Sequence, residues 1–168
     1  MGGNHGAVRL LVELHPQAVE PGDRLGGLGD QFVEQLRLGG EVAAGQLAEK
    51  LAYDCNLLAA LGVRLVLVHG ARPQIEAEMA RRGLTPRYHN GLRVTDADAL
   101  ECVKAAVAVT RIEVEALLSQ GLPNTPMAGS YMRVTGGNFV TAKPVGVVDG
   151  VDYGFTGAVR KVIAEEIA

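Results

Sequence analysis

Val63-Arg-Leu-Val-Leu-Val-His69-Gly70-Ala71-Arg72-Pro73-Gln74-Ile75 is the stretch that decides the fold. Its first half is an apolar run that reads as a buried strand. It stops abruptly at Gly70, and the residues after it read as the start of a helix. A loop at the carboxyl end of a buried strand, leading into a helix N-terminus, is where α/β proteins hold small anionic ligands.

On the amino-terminal side, Val42, Leu47, Leu51, Leu57, Leu58 and Leu61 recur at near-helical spacing over residues 41–61. Gly62 then stands where a helix end needs a left-handed residue. On the carboxyl side, Pro73 falls in the first turn of a helix, where its missing N–H costs nothing, and that helix ends near Arg82-Gly83. The unit is helix, strand, helix. After Pro86, Asn90-Gly91 suits a left-handed turn and predicts a hairpin or tight turn that presents Leu92 and Arg93. Thr95 then caps a long helix, with Asp98 as the carboxylate three residues on. Its apolar positions run from Leu100 to Leu117, about six turns if it reaches Gln120.

Farther out the signals weaken. Short β-type runs are expected at 131–134, 139–142 and 145–148, and a last strand at 159–163 begins to turn into a helix. Residues 32–38 suggest a strand, although Glu34, Gln35 and Arg37 interrupt the continuous apolar run of a strand buried on both faces. Burying such charges unpaired would cost several kcal/mol, so this strand lies at an edge or is displaced. Residues 8–14 are expected to form a short helix, followed by a loose Pro- and Gly-rich loop.

Composition narrows the function. The 168 residues suit one domain, and a hydrophobic content of 48% supports a real core. A net charge of -3 with scattered Lys and Arg gives no basic face for nucleic acid and no polybasic membrane anchor. No apolar stretch is long enough to span a bilayer, and the first residues do not form a secretory signal. Cys55 and Cys102 lie in apolar, helix-like stretches without zinc-ligand spacing. A cytoplasmic protein with a small-molecule or protein partner is expected.

Several residues are candidates for ligand chemistry. Backbone N–H groups at Gly70 and Ala71 can cradle a carboxylate or phosphate at the positive end of the next helix, or form a tight turn with no ligand. Arg72 is an anion partner or a solvated loop arginine. His69 closes the strand with no Ser, Cys or carboxylate nearby in sequence, and reads as a structural hydrogen-bonding residue. Arg93 can bridge a ligand carboxylate with two prongs or form a surface ion pair. Gly39-Gly40 is a weaker second anion loop. Asp149 and Asp152 read as turn carboxylates without metal-ligand spacing, and no metal site is expected.

Five separated stretches carry a family resemblance: residues 61–75, Tyr88-His-Asn-Gly-Leu-Arg-Val-Thr-Asp96, Leu122-Pro-Asn-Thr-Pro-Met127, Gly137-Asn-Phe-Val140 and Asp149-Gly-Val-Asp-Tyr153. Together they resemble the N-acetylglutamate synthases (amino-acid N-acetyltransferases) of bacterial arginine biosynthesis, within the amino-acid kinase superfamily. The resemblance covers residues 32–168 and leaves 1–31 as a poorly matching extension. It implies an α/β three-layer sandwich with a mostly parallel sheet, amino-acid kinase-like, here its N-terminal lobe only. In the full synthase a separate acetyltransferase domain moves acetyl from acetyl-coenzyme A to glutamate, and arginine bound to the kinase-like domain regulates it.

By this resemblance the chain is a partial, regulatory or structural domain, without catalytic residues or a cofactor of its own; acetyl-coenzyme A belongs to the full enzyme. Gly39, Gly40, Gly70, Ala71 and Arg93 fall on the family's ligand positions. The implied ligands are an acidic amino acid or N-acetyl amino acid, with arginine only where a missing lobe completes its pocket, and a homo-oligomer is expected. Two departures disfavour kinase activity. Ala71-Arg72 replaces a glycine pair, and Arg37 replaces a phosphate-contacting lysine, which an arginine does not mimic. The alternatives are an acetylglutamate kinase relative and a non-enzymatic oligomerisation module or decayed fragment that self-associates through residues 96–120.

Overall fold

A computed structural model describes residues 7–12, 33–38, 46–129 and 132–166. Strands β1 (Ala7–Val12) and β2 (Val33–Leu38) precede helix α1 (Gln46–Ala60), and β3 (Arg64–His69) leads into α2 (Arg72–Arg81). The hairpin β4 (Arg87–His89) and β5 (Leu92–Val94) feeds the 22-residue helix α3 (Ala97–Leu118). Then come β6 (Arg133–Gly136), β7 (Val140–Pro144), β8 (Val147–Val148), β9 (Val151–Asp152), β10 (Gly157–Val162) and a short 3-10 turn at Ala164–Glu166.

β3 pairs in parallel with β1 on one side and β2 on the other, and β1 pairs in parallel with β6, in the order β2-β3-β1-β6. The helix expected over 8–14 is therefore corrected to a strand. A run of six residues is too short to hold helix without tertiary support, whereas Val8, Leu10 and Val12 meet Leu65, Leu67 and His69 in register. The interrupted strand at 32–38 does form, and it takes an edge position. That position agrees with the charged and polar residues 34, 35 and 37 interrupting its apolar run in the sequence. The loop expected over 16–30 lies outside the described residues.

The helix ends follow from local chemistry. Gly62 and Gly83 adopt φ of 85° and 71°. In each case the glycine N–H bonds the carbonyl three residues back, and the following N–H bonds the carbonyl five back. That is the paired closure of a Schellman motif, which requires a left-handed residue.

At the start of α3 the expected cap moves by one residue. Asp96, not Thr95, is the N-cap, and its carboxylate accepts from the Ala99 N–H at 3.0 Å. That backbone donor, with Arg87 beside it, lowers the Asp96 carboxyl below its ordinary value. Asp96→Ala should destabilise by about 0.5–2 kcal/mol. Because the folded pKa is depressed, the contribution is complete above the unfolded value of about 3.9 and disappears as pH falls through the folded pKa. Wild-type and variant denaturation curves should therefore converge in acid.

The two faces of β3 build separate clusters. Leu65 and Leu67 pack with Ala52, Cys55, Ala59, Val114, Leu118 and Met132, which places α1 and α3 on one face. Val66 and Val68 meet Phe139 and Val162 on the other. The expectation of a strand buried on both faces holds. A third cluster joins α2 to α3 through Ala71, Ile75, Met79, Ala99, Cys102 and Ala106. Asn56 bridges α1 to α3 by donating to both the Ala52 and Leu118 carbonyls at 2.9 Å.

Candidate functional site

The site begins where β3 stops. His69 is 3% exposed, with Nδ1 3.4 Å from the Gly70 carbonyl oxygen and Nε2 buried without a hydrogen-bond partner. Burial lowers its pKa, an effect that the Gly70 carbonyl partly opposes. Burial thus favours the neutral ring, whose one hydrogen-bond contact among the described residues is the Gly70 carbonyl. Next comes the buried Ala71, the N-cap of α2. It has no side chain able to cap, so the positive end of the helix keeps its unshielded dipole. Pro73 occupies the first turn, as its fixed φ favours.

Arg72 and Arg93 then converge on one ring. The Arg72 guanidinium lies 4.6 Å from the Tyr88 ring centroid and that of Arg93 lies 5.6 Å from it. Arg93 Nη2 also donates to the Tyr88 hydroxyl at 3.0 Å, while its Nε is buried without a hydrogen-bond partner. The Tyr88 hydroxyl donates to Glu76 Oε1 at 2.6 Å, and Arg72 Nε donates to the same oxygen at 2.9 Å. These two donors lower the Glu76 carboxyl, the Tyr88 hydrogen bond most strongly. Two cations, an aromatic platform and a helix N-terminus thus meet at the end of β3. Such a set favours a carboxylate or phosphate.

Among the sequence candidates, the structure brings Arg72 and Arg93 together, with Gly70 and Ala71 immediately ahead of Arg72. Gly39 and Gly40 lie outside the described residues. Asp149 is a turn residue with φ of 51°, and Asp152 accepts from the Gly154 N–H, so both are turn carboxylates as expected. Among the described residues no cluster of three or more His, Cys, Asp or Glu could hold a metal ion, and no helix is long and apolar enough to cross a membrane.

Sequence reasoning missed Tyr88 and Glu76. Both had a signal. With Asn90-Gly91 as a two-residue turn, residue 88 must stand opposite residue 93, and that is the observed register. Glu76 is four residues after Arg72, the spacing at which helical side chains meet.

The chain is 57% identical over 127 residues to an amino-acid acetyltransferase of Ectopseudomonas mendocina, covering 76% of this chain and 29% of the relative. It is 61% identical over 112 residues to an amino-acid acetyltransferase of Pseudomonas fluorescens, covering 67% and 26%. The chain therefore spans less than a third of the length of these curated relatives. Among solved structures, N-acetylglutamate synthase from Neisseria gonorrhoeae complexed with coenzyme A and L-arginine superposes with a TM-score of 0.72 at 36% identity, over 80% of this chain and 32% of that one. The same enzyme complexed with coenzyme A and N-acetyl-glutamate gives 0.66 at 36% identity, over 80% and 30%. The chain is a homologue of these amino-acid acetyltransferases within their kinase-like region. Residues 36–168 match the amino acid kinase family, and the chain belongs to that family.

Proposed function

We propose that this chain forms the N-terminal lobe of a three-layer, amino-acid kinase-like sandwich with a mostly parallel sheet, and that it serves an N-acetylglutamate synthase of arginine biosynthesis. Its role is ligand recognition and assembly, with an extension over residues 1–31 and a partial kinase-like domain over 32–168. Transfer of acetyl from acetyl-coenzyme A to glutamate belongs to the whole enzyme. The ligand of this lobe is an acidic or N-acetyl amino acid, held by the Gly70-Ala71 loop and Arg93, with Gly39 and Gly40 as the further ligand positions that the family resemblance implies. Arginine binds only where the second lobe adds its contacts.

The observation that carries this reading is the pairing of Arg72 with Arg93 around Tyr88 at the start of α2. Two guanidiniums there favour a carboxylate. Phosphoryl transfer is disfavoured by the same residues, because the buried Ala71 fills space that a glycine would leave open and Arg72 follows it directly. Self-association is supported by Val109 and Ile112 of α3, which are 55% and 65% exposed. The buried, unpaired thiols of Cys55 and Cys102 support a reducing, cytoplasmic setting.

Calorimetry on the purified chain with N-acetylglutamate, glutamate, arginine and ATP tests the reading. N-acetylglutamate should bind, and Arg93→Ala should weaken it about tenfold or more, the size of a lost charge-assisted hydrogen bond. Nucleotide-dependent phosphorylation of N-acetylglutamate would instead establish the kinase alternative.

A further inference from the structure

The segment Tyr153-Gly-Phe-Thr156 grips both strands of the hairpin that presents Arg93, from about sixty positions away in the chain. On β4, the Tyr153 hydroxyl donates to the His89 carbonyl at 3.0 Å, so His89 Nδ1, 2.8 Å from the same oxygen, acts as donor to it. On β5 and just beyond, the Thr156 hydroxyl donates to the Arg93 carbonyl at 2.5 Å and lies 3.0 Å from Thr95 Oγ1. Between these points the Thr95 N–H bonds the Tyr153 carbonyl, and the Phe155 N–H bonds the Thr95 carbonyl at 2.8 Å. Gly154 makes this approach possible. Its φ is 58°, and a Cβ there would lie 2.4 Å from the Thr95 carbonyl oxygen. At the turn itself, Asn90 Nδ2 donates to Asp149 Oδ2.

A two-stranded hairpin of three-residue strands does not hold its geometry alone in water. Its own ladder places Arg93 opposite Tyr88, but nothing in that ladder fixes the hairpin against α2, which carries Arg72 and Glu76. The 153–156 segment fixes the far edge of the hairpin, and α3 begins directly after it at Ala97. We infer that Tyr153, Gly154 and Thr156 are positioning residues that set where the Arg93 guanidinium stands relative to Tyr88 and Arg72. They touch no ligand. The inference rests on the proposed carboxylate-gripping role of Arg93 for its functional consequence, but not for its geometry.

The test uses the full chain labelled with nitrogen-15 in arginine, with N-acetylglutamate as the probe. In wild type the buried Arg93 Nε–H should give a resonance displaced from the solvated arginines. Thr156→Val removes the hydroxyl at nearly constant shape and should collapse that resonance toward the solvated position. It should also weaken N-acetylglutamate by about tenfold, as expected for a misaligned charge-assisted hydrogen bond. Thr156→Ser restores the hydroxyl and should restore both. Tyr153→Phe releases only the His89 clasp and should shift the same resonance while the α3 amide signals stay in place, which covers the case in which Thr156→Val does not fold. An Arg93 resonance unchanged in Thr156→Val and Tyr153→Phe overturns the inference. If the wild type fails to bind N-acetylglutamate while the resonance moves as stated, the brace stands and the ligand reading falls.

Discussion

Tyr153→Ala is expected to lower the unfolding free energy by about 3–5 kcal/mol, the range for emptying a buried aromatic site. Tyr153 is 1% exposed and is the largest fully enclosed side chain among the described residues. Its ring meets His89 edge-on with centroids 5.9 Å apart, and its hydroxyl is tied to that residue twice. Truncation therefore opens a cavity and also leaves the His89 carbonyl and ring nitrogen without their partner. The two losses should separate. Tyr153→Phe keeps the ring and should cost only about 0.5–1.5 kcal/mol, the net worth of a hydrogen bond. Urea denaturation of the three proteins measures both steps. An alanine variant no less stable than the phenylalanine one would mean that the ring does not fill the core between the hairpin and the 145–156 loops.

How far the site was legible follows from how local each signal is. The β3 strand, the Gly70 turn, Pro73 at the start of α2 and the glycines ending α1 and α2 are all set by neighbours within a few residues. They read correctly from sequence for that reason. β1 did not, because a short run of five apolar residues around Arg9 does not state its period, and its strand form is settled by pairing with β3 more than fifty residues later. The cap at α3 slipped by one residue for a related cause. Thr95 and Asp96 are both competent caps, and the choice is made by Thr156, whose hydroxyl occupies the Thr95 side chain and leaves Asp96 to the helix.

The same contrast runs through the site. Arg93 was legible as a ligand candidate through its turn and its family position, whereas its neighbours Tyr88 and Glu76 were not. Tyr88 is a partner only once the hairpin register is known, and the brace from 153–156 joins residues that no periodicity connects. Arg72 reads from sequence as an anion partner or a solvated loop arginine, and in the structure it is exposed to solvent while stacking on the ring that also carries Arg93. Two cations placed around one ring repel each other. Glu76 and the electron-rich face of Tyr88 offset the repulsion, and a ligand carboxylate would do so further. The arrangement shows how the position after Ala71 can carry a charged side chain beside Arg93.

Leu67→Ala is expected to cost about 2–5 kcal/mol. Leu67 is 2% exposed, at the middle of β3, between Leu10 of β1 and Leu36 of β2 in register. Its side chain packs into the cluster that α1 and α3 form over that face of the strand. With strands on both sides and helices above, little can move inward to refill the space, and the cost should fall in the upper half of the range. Leu67→Ile conserves volume and suits a strand, so it should cost less than about 1.5 kcal/mol. Thermal and urea unfolding of both variants decide the matter. An alanine variant within about 0.5 kcal/mol of wild type, the scale of an ordinary surface substitution, would show that β3 is not the buried centre of the sheet. That result would remove the support for a ligand loop at its carboxyl end, because His69, Gly70 and the start of α2 owe their positions to this strand.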